Sequence, residues 1–109
     1  MSDRIYKINE LIKVEAGQIL QKEIILEDGV LTVTAVETTN DLRQAIVWLG
    51  FFGNNKEEVE NLISEKAKDI QKKINHRLTL KHVPKLEYKF DKSGEYADEI
   101  GRVLRKISQ

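Results

Sequence analysis

Between Arg4 and Lys22 the apolar residues Ile5, Ile8, Leu11, Ile12, Ile19 and Leu20 recur at the i, i+3, i+4, i+7 spacing of one helical face. That spacing predicts an amphipathic helix, with Asp3 placed to cap its start. Asp28-Gly29 then breaks the chain. Leu31 to Thr38, LTVTAVET, alternates apolar with polar and is rich in β-branched residues, which predicts a strand. Thr39-Asn40-Asp41 has turn chemistry. Ala45 to Phe51, AIVWLGF, is almost continuously apolar, so a second strand is expected at the centre of its sheet, covered on at least one face. The short connection makes the two strands antiparallel.

In the second half the period changes again. Asn55 followed by Glu58 is a capping-box variant, and Glu57, Glu58 and Glu60 complement the positive end of a helix, an explanation preferred to a metal cluster. Val59, Leu62, Ile63, Ala67, Ile70, Ile74 and Leu78 extend one apolar stripe over more than 20 residues. That is long for so small a domain, and a break or kink near Ala67 is expected. Val83-Pro84 should end the helical stretch, because the residue before proline is pushed out of the helical region. Leu86 to Phe90 alternates as a third strand, and Ser93 caps a last helix carrying Tyr96, Ala97, Ile100, Val103, Leu104 and Ile107. The order is α-β-β-α(α)-β-α, with a right-handed crossover between strands two and three. It implies an α+β domain: a three-stranded sheet with helices mainly on one face.

Residues 1–109 have the length of one domain, with a single proline and no linker-like tract. The absence of cysteine removes disulfides, thiolate nucleophiles and Cys-based metal sites. The charged start lacks the apolar segment of a signal peptide, and Ala45–Phe52 is far short of a membrane span. A soluble cytoplasmic protein is expected. Net charge is zero, but residues 1–65 hold 6 Lys/Arg against 12 Asp/Glu, whereas residues 66–92 hold 9 against 3. The basic segment is a possible phosphate-binding surface, with a solvated, salt-bridged helix face as the alternative.

His76 and His82 lie six apart, without zinc spacing or an accompanying carboxylate. No phosphate loop, nucleophile elbow or HExxH sequence is present. No enzymatic activity, cofactor, metal or small-molecule substrate is therefore expected. Gly50-Phe51-Phe52-Gly53 has the GxxG spacing with which KH domains clamp nucleotides. It ends a strand, however, and would put two phenylalanines where nucleic acid should lie. A strand-terminating turn, with glycine relieving the backbone and a phenylalanine closing the core, is the better reading. Trp48, Tyr88 and Phe90 fall in strands among aliphatic neighbours and are read as core rather than as base-stacking platforms.

NELI and QILQKEI in the first helix, LTVTAVETTNDLRQAIVWL across the hairpin, and LTLKHVPKLEYKFDKSGEYADEI through the third strand into the last helix together resemble bacterial ribosome-binding factor A. The resemblance spans about residues 4–107 and is carried most by T-V-T-x-V, by N-D-L-x-x-A-x-V and by V-P-x-L-x-[FY]-x-x-D-x-S. It implies a type II KH-like fold in which a helix–kink–helix replaces the GxxG loop. Two departures stand out: Lys66-Ala67-Lys68 where the family has Ala-x-Gly, and Asp28-Gly29 where it has Asp-Pro. The resemblance also implies a function: non-catalytic late maturation of the small subunit and rRNA processing, including cold adaptation. The partners it implies are 16S rRNA and the free 30S subunit, with the protein a monomer and no membrane involved.

On a helical wheel Lys68, Lys72 and His76 form an outward ridge, and Lys73, Arg77 and Lys81 a second ridge beside the buried stripe, with Lys66 on that side. Like charges at i, i+4 repel by about 0.2–0.5 kcal/mol per pair, a cost that an anionic partner would offset. Arg43 and Lys85 are added as rim residues. The RNA-binding set is thus Lys66, Lys68, Lys72, Lys73, His76, Arg77, Lys81, Arg43 and Lys85. A protein–protein module using a sheet edge or the acidic N-terminal half is the alternative from another class.

Overall fold

The structure is a computed structural model that describes residues 3–91; the helix predicted after Ser93 lies outside them. Helix α1 (Asp3–Glu23) buries Ile8, Ile12, Ile19 and Leu20 of the expected stripe and adds Ala16, while Ile5 is half-buried and Leu11 is exposed. Strands β1 (Val30–Thr38) and β2 (Gln44–Phe52) pair antiparallel, from Val30 opposite Phe52 to Thr38 opposite Ala45. Helix α2 (Lys56–Arg77) follows, and strand β3 (Lys85–Phe90) returns parallel to β2, from Lys85 beside Gln44 to Phe90 beside Leu49. The sheet order is β1-β2-β3, so the most apolar strand is central, as its composition requires. The fold is the expected α+β arrangement.

One core joins these elements. Ala45, Val47 and Leu49 of β2 are fully buried, in one cluster with the α1 stripe and with Val59, Ile63, Ile70 and Ile74 of α2. The alternate residues Ile46 and Trp48 are only half-buried. A strand with period two puts successive side chains on opposite faces, so both helices share one face of the sheet. Strand β1 keeps its core-facing residues by a device that simple alternation does not reveal. Val33 lies opposite Leu49 and Ala35 opposite Trp48, leaving Thr34 as an extra, bulged residue. The bulge switches parity: Leu31 and Val33 face inward before it, Val36 after it.

The start of α2 is capped as predicted. The Asn55 side chain accepts a hydrogen bond from the Glu58 amide, and its amide group donates back to the Glu58 carboxylate at 3.1 Å. Two expectations for this helix need correction. No break occurs near Ala67, because α2 is one 22-residue helix. Glu65-Lys66-Ala67-Lys68-Asp69 contains neither glycine nor proline, and alanine is the best helix former, so nothing in the backbone forces a break. The helix also stops at Arg77, well before Val83-Pro84. Leu78 is extended (φ −91°, ψ 128°), while its side chain, with those of Leu80 and Val83, still packs on the core.

The GFFG stretch behaves as a strand end. Gly50, Phe51 and Phe52 belong to β2 and Gly53 follows it. The half-buried Phe51 ring lies across Gly29 and Gly53, where an added Cβ would meet ring atoms at 2.9 and 2.6 Å. Gly29 also has φ +100°, a backbone that favours glycine. Tyr88 and Phe90 pack against the core as expected, but Trp48 does not. By its register Trp48 sits on the sheet face away from both helices, where Lys89 approaches its ring at 6.0 Å.

Candidate nucleic-acid interface

The nine basic residues predicted to bind RNA do not form one surface. Lys68, Lys72 and His76 lie on the side of α2 opposite the buried stripe and are exposed. Their spacing of four brings them to successive turns of one face. Among the described residues none of the three enters an ion pair. The ridge therefore presents the ammonium groups of Lys68 and Lys72 to solvent outside any ion pair among the described residues, with His76 beside them.

Lys66, Lys73 and Arg77 turn instead toward α1. Lys66 and Lys73 both reach the Glu23 carboxylate, Lys66 at 3.8 Å. Arg77 Nη1 donates to Glu15 Oε2 and to Gln18 Oε1, each at 3.2 Å. The salt-bridged alternative thus holds for this row. Its cause is tertiary: the acidic residues of α1 are far away in sequence but align along the seam between the two helices. Partly exposed pairs of this kind each contribute about 0–1 kcal/mol and lower the net potential of that side.

Lys81 is not part of any helical ridge, because α2 has ended. It lies in the α2–β3 loop beside a cleft of about 460 Å³. The cleft is bounded by Arg4 and Ile8 of α1, by Asp41, Leu42 and Arg43 of the hairpin turn, and by residues 80–84 of the loop. Lys85 begins β3 close by, its backbone amide donating to the Arg43 carbonyl at 2.9 Å. Two rim residues that sequence reasoning passed over are Arg4 and His82. The signal for Arg4 was its i, i+4 relation to Ile8, and for His82 its place next to Lys81.

The hairpin turn is held rigidly. Asp41 Oδ1 accepts from the Thr39 hydroxyl at 2.6 Å and from the Arg43 amide at 3.1 Å. The Gln44 amide donates to Thr39 Oγ1 at 3.2 Å. These two hydrogen bonds, together with the Arg43 charge, hold the exposed Asp41 carboxyl below its usual pKa, so it stays ionised at neutral pH. Leu42 is the one non-glycine residue with positive φ (63°) among the described residues. A leucine in this region is strained, and the turn's hydrogen bonds hold it there.

A further groove runs between α2 and β3, lined by Glu60, Ile63, Ser64 and Ala67 on one side and by Glu87 to Phe90 on the other. Its side next to the loop is fastened by Gln71, which accepts from the Leu86 amide at 2.9 Å and donates to the Pro84 carbonyl at 3.1 Å. In this groove the Tyr88 hydroxyl is buried with no hydrogen-bond partner among the described residues, and burial pushes the phenol well above its ordinary pKa. Among the described residues, no three His, Asp or Glu side chains gather to hold a metal ion, and no helix is long and apolar enough to cross a membrane.

The comparisons with known proteins agree with one another. The family model described as ribosome-binding factor A matches residues 4–104. The ribosome-binding factor A of Opitutus terrae is 34% identical, with all of this chain and 91% of the relative covered. That of Macrococcus caseolyticus is 35% identical over all of this chain and 98% of its own length. Among solved structures, ribosome-binding factor A from Thermus thermophilus superposes with a TM-score of 0.67 at 20% identity, covering 78% of this chain and 93% of its own. A homology model of the Thermus thermophilus factor, as fitted into the cryo-EM map of its 30S complex, gives a TM-score of 0.66 at 18% identity, over 77% and 91% of the two chains. With the family model spanning nearly the whole length and the sheet order and helix placement shared, this chain belongs to the ribosome-binding factor A family.

Proposed function

We propose that this protein binds 16S rRNA within the immature 30S subunit and assists its late maturation without making or breaking a covalent bond. The observation that carries this reading is the exposed ridge of Lys68, Lys72 and His76, unpaired among the described residues and set on a rigid 22-residue helix. Two unpaired lysines at fixed spacing suit the phosphates of folded RNA, which is recognised through shape and phosphate arrangement. Arg43, Lys81 and Lys85 extend the contact at the hairpin and loop end. Lys66, Lys73 and Arg77 support it from the α1 side, their charge already shared with Glu15 and Glu23. Binding that favours one rRNA conformer shifts its population, and differential affinity alone supplies the driving force.

The relative's assembly with the 30S subunit and the family membership support the choice of partner. Co-sedimentation tests it directly: the protein should travel with free 30S particles, stay behind with 70S ribosomes, and dissociate steeply as salt rises. Failure to bind 30S at low salt, or binding indifferent to salt, would overturn the reading and favour an apolar protein–protein contact.

A further inference from the structure

The cleft between the start of α1, the hairpin turn and the α2–β3 loop combines an apolar floor with an ionic rim. Its floor is aliphatic: Ile8, Leu42 and Leu80, all buried or half-buried. Its rim is ionic, with Arg4, Arg43 and Lys81 on one hand and Asp41 on the other. At about 460 Å³ it falls within the ~300–1,000 Å³ typical of small-ligand sites. The Lys68–Lys72–His76 ridge contributes nothing to it.

We infer that this cleft takes one unstacked ribonucleotide of the bound RNA, a subsite separate from the phosphate-binding ridge. This rests on the proposed RNA-binding function and adds to it a point of base and sugar recognition. A nucleobase presents two flat apolar faces, and the aliphatic floor receives one of them. Guanidinium planes stack on bases as well as pairing with phosphates, so Arg43 can serve either part of the nucleotide.

The anion on the rim is what narrows the ligand to RNA. Asp41 spends Oδ1 on the Thr39 hydroxyl and the Arg43 amide, and Oδ2 has no partner among the described residues. A lone phosphate would be repelled by that carboxylate. A nucleotide whose 2′-OH or base N–H donates to it is favoured, while its phosphate rests on Arg43 and Lys81. The 2′-OH is the group that separates RNA from DNA at a given position. The strained Leu42 backbone, kept in place by the same turn, sets the floor before any ligand arrives.

The test is an amide NMR titration of the intact protein with a short single-stranded RNA and with DNA of the same sequence. The expected result is RNA-induced shifts at Arg4, Ile8, residues 41–43 and residues 80–84, with RNA preferred by about tenfold, the value of one hydrogen bond to a charged acceptor. Asp41→Asn keeps an oxygen for the turn and should bring the two affinities together. Arg43→Ala should weaken both and lower the salt slope by about 0.7. Shifts confined to residues 68–76, or a ribose preference that survives Asp41→Asn, would overturn the subsite and leave the ridge intact. No shift in either region, with no binding to 30S particles, would remove the RNA-binding reading as well.

Discussion

Replacing Lys68 and Lys72 together with glutamine isolates the surface on which the proposed function depends. Both side chains are exposed and neither makes an ion pair among the described residues, so the substitution removes charge without removing a contact. Stability should stay within about 0.5 kcal/mol of the parent. The effect on binding follows from counterion release. Each phosphate neutralised contributes a slope of about −0.7 to −0.9 in log K against log salt, so two lost contacts flatten the slope by about 1.4 to 1.8. Over a fourfold rise in salt, from about 50 to about 200 mM, the parent should therefore lose about tenfold more affinity than the variant.

The assay is fluorescence anisotropy of labelled 16S rRNA fragments, or sedimentation with 30S particles, at several salt concentrations. Arg77→Gln is the matched control: it also removes one positive charge, but one engaged by Glu15 and Gln18. It should cost up to about 1 kcal/mol of stability and flatten the slope less than either ridge lysine. Parallel salt plots for the parent and the double variant would refute the assignment of the ridge. So would a larger change from Arg77→Gln than from the ridge substitutions.

Glu23→Gln frees both Lys66 and Lys73 from their shared carboxylate; it should lower stability by no more than about 1 kcal/mol while tightening RNA binding, read from paired urea melts and anisotropy. Two glycines should respond in opposite directions in urea unfolding. Gly17→Ala adds a methyl with nothing within 4 Å in a helix interior and should stabilise by about 0.8–1 kcal/mol, whereas Gly29→Ala, at φ +100° with Phe52 O at 2.7 Å, should destabilise by more than about 1 kcal/mol. Tyr88→Phe deletes a buried hydroxyl that has no partner among the described residues, so stability at pH 7 should be unchanged or higher. Burial raises this phenol above the ordinary tyrosine value of about 10, so the unfolded chain ionises first and stability drains away as pH climbs past about 10. In Tyr88→Phe that alkaline loss, followed by circular dichroism, should shrink.

Much of the architecture was legible in local sequence. The α1 stripe, the Asn55 cap, the central position of β2 and the return of β3 all follow from short-range periodicity and end chemistry, because each is decided within a few residues. The ridge of Lys68, Lys72 and His76 was legible for the same reason: spacing of four on one helix needs no knowledge of neighbours. The early end of α2 and the bulge at Thr34 were not, since each depends on how far packing overrides local preference, whereas the uninterrupted passage through Ala67 follows a local sequence without glycine or proline.

The primary structure alone thus determined which segments are helix and strand, which faces are apolar, and where positive charge concentrates. The tertiary structure decided which of those charges remain available. Glu15 and Glu23 lie 43 to 62 residues from the lysines and arginine they engage, and only the packing of α1 on α2 brings them within ion-pair distance. The same packing of remote segments gathers Arg4, Asp41, Arg43 and Lys81 around one cleft. Coulomb energy falls with distance and is screened within about 10 Å. Pairing is thus settled by three-dimensional neighbours, which local spacing cannot specify.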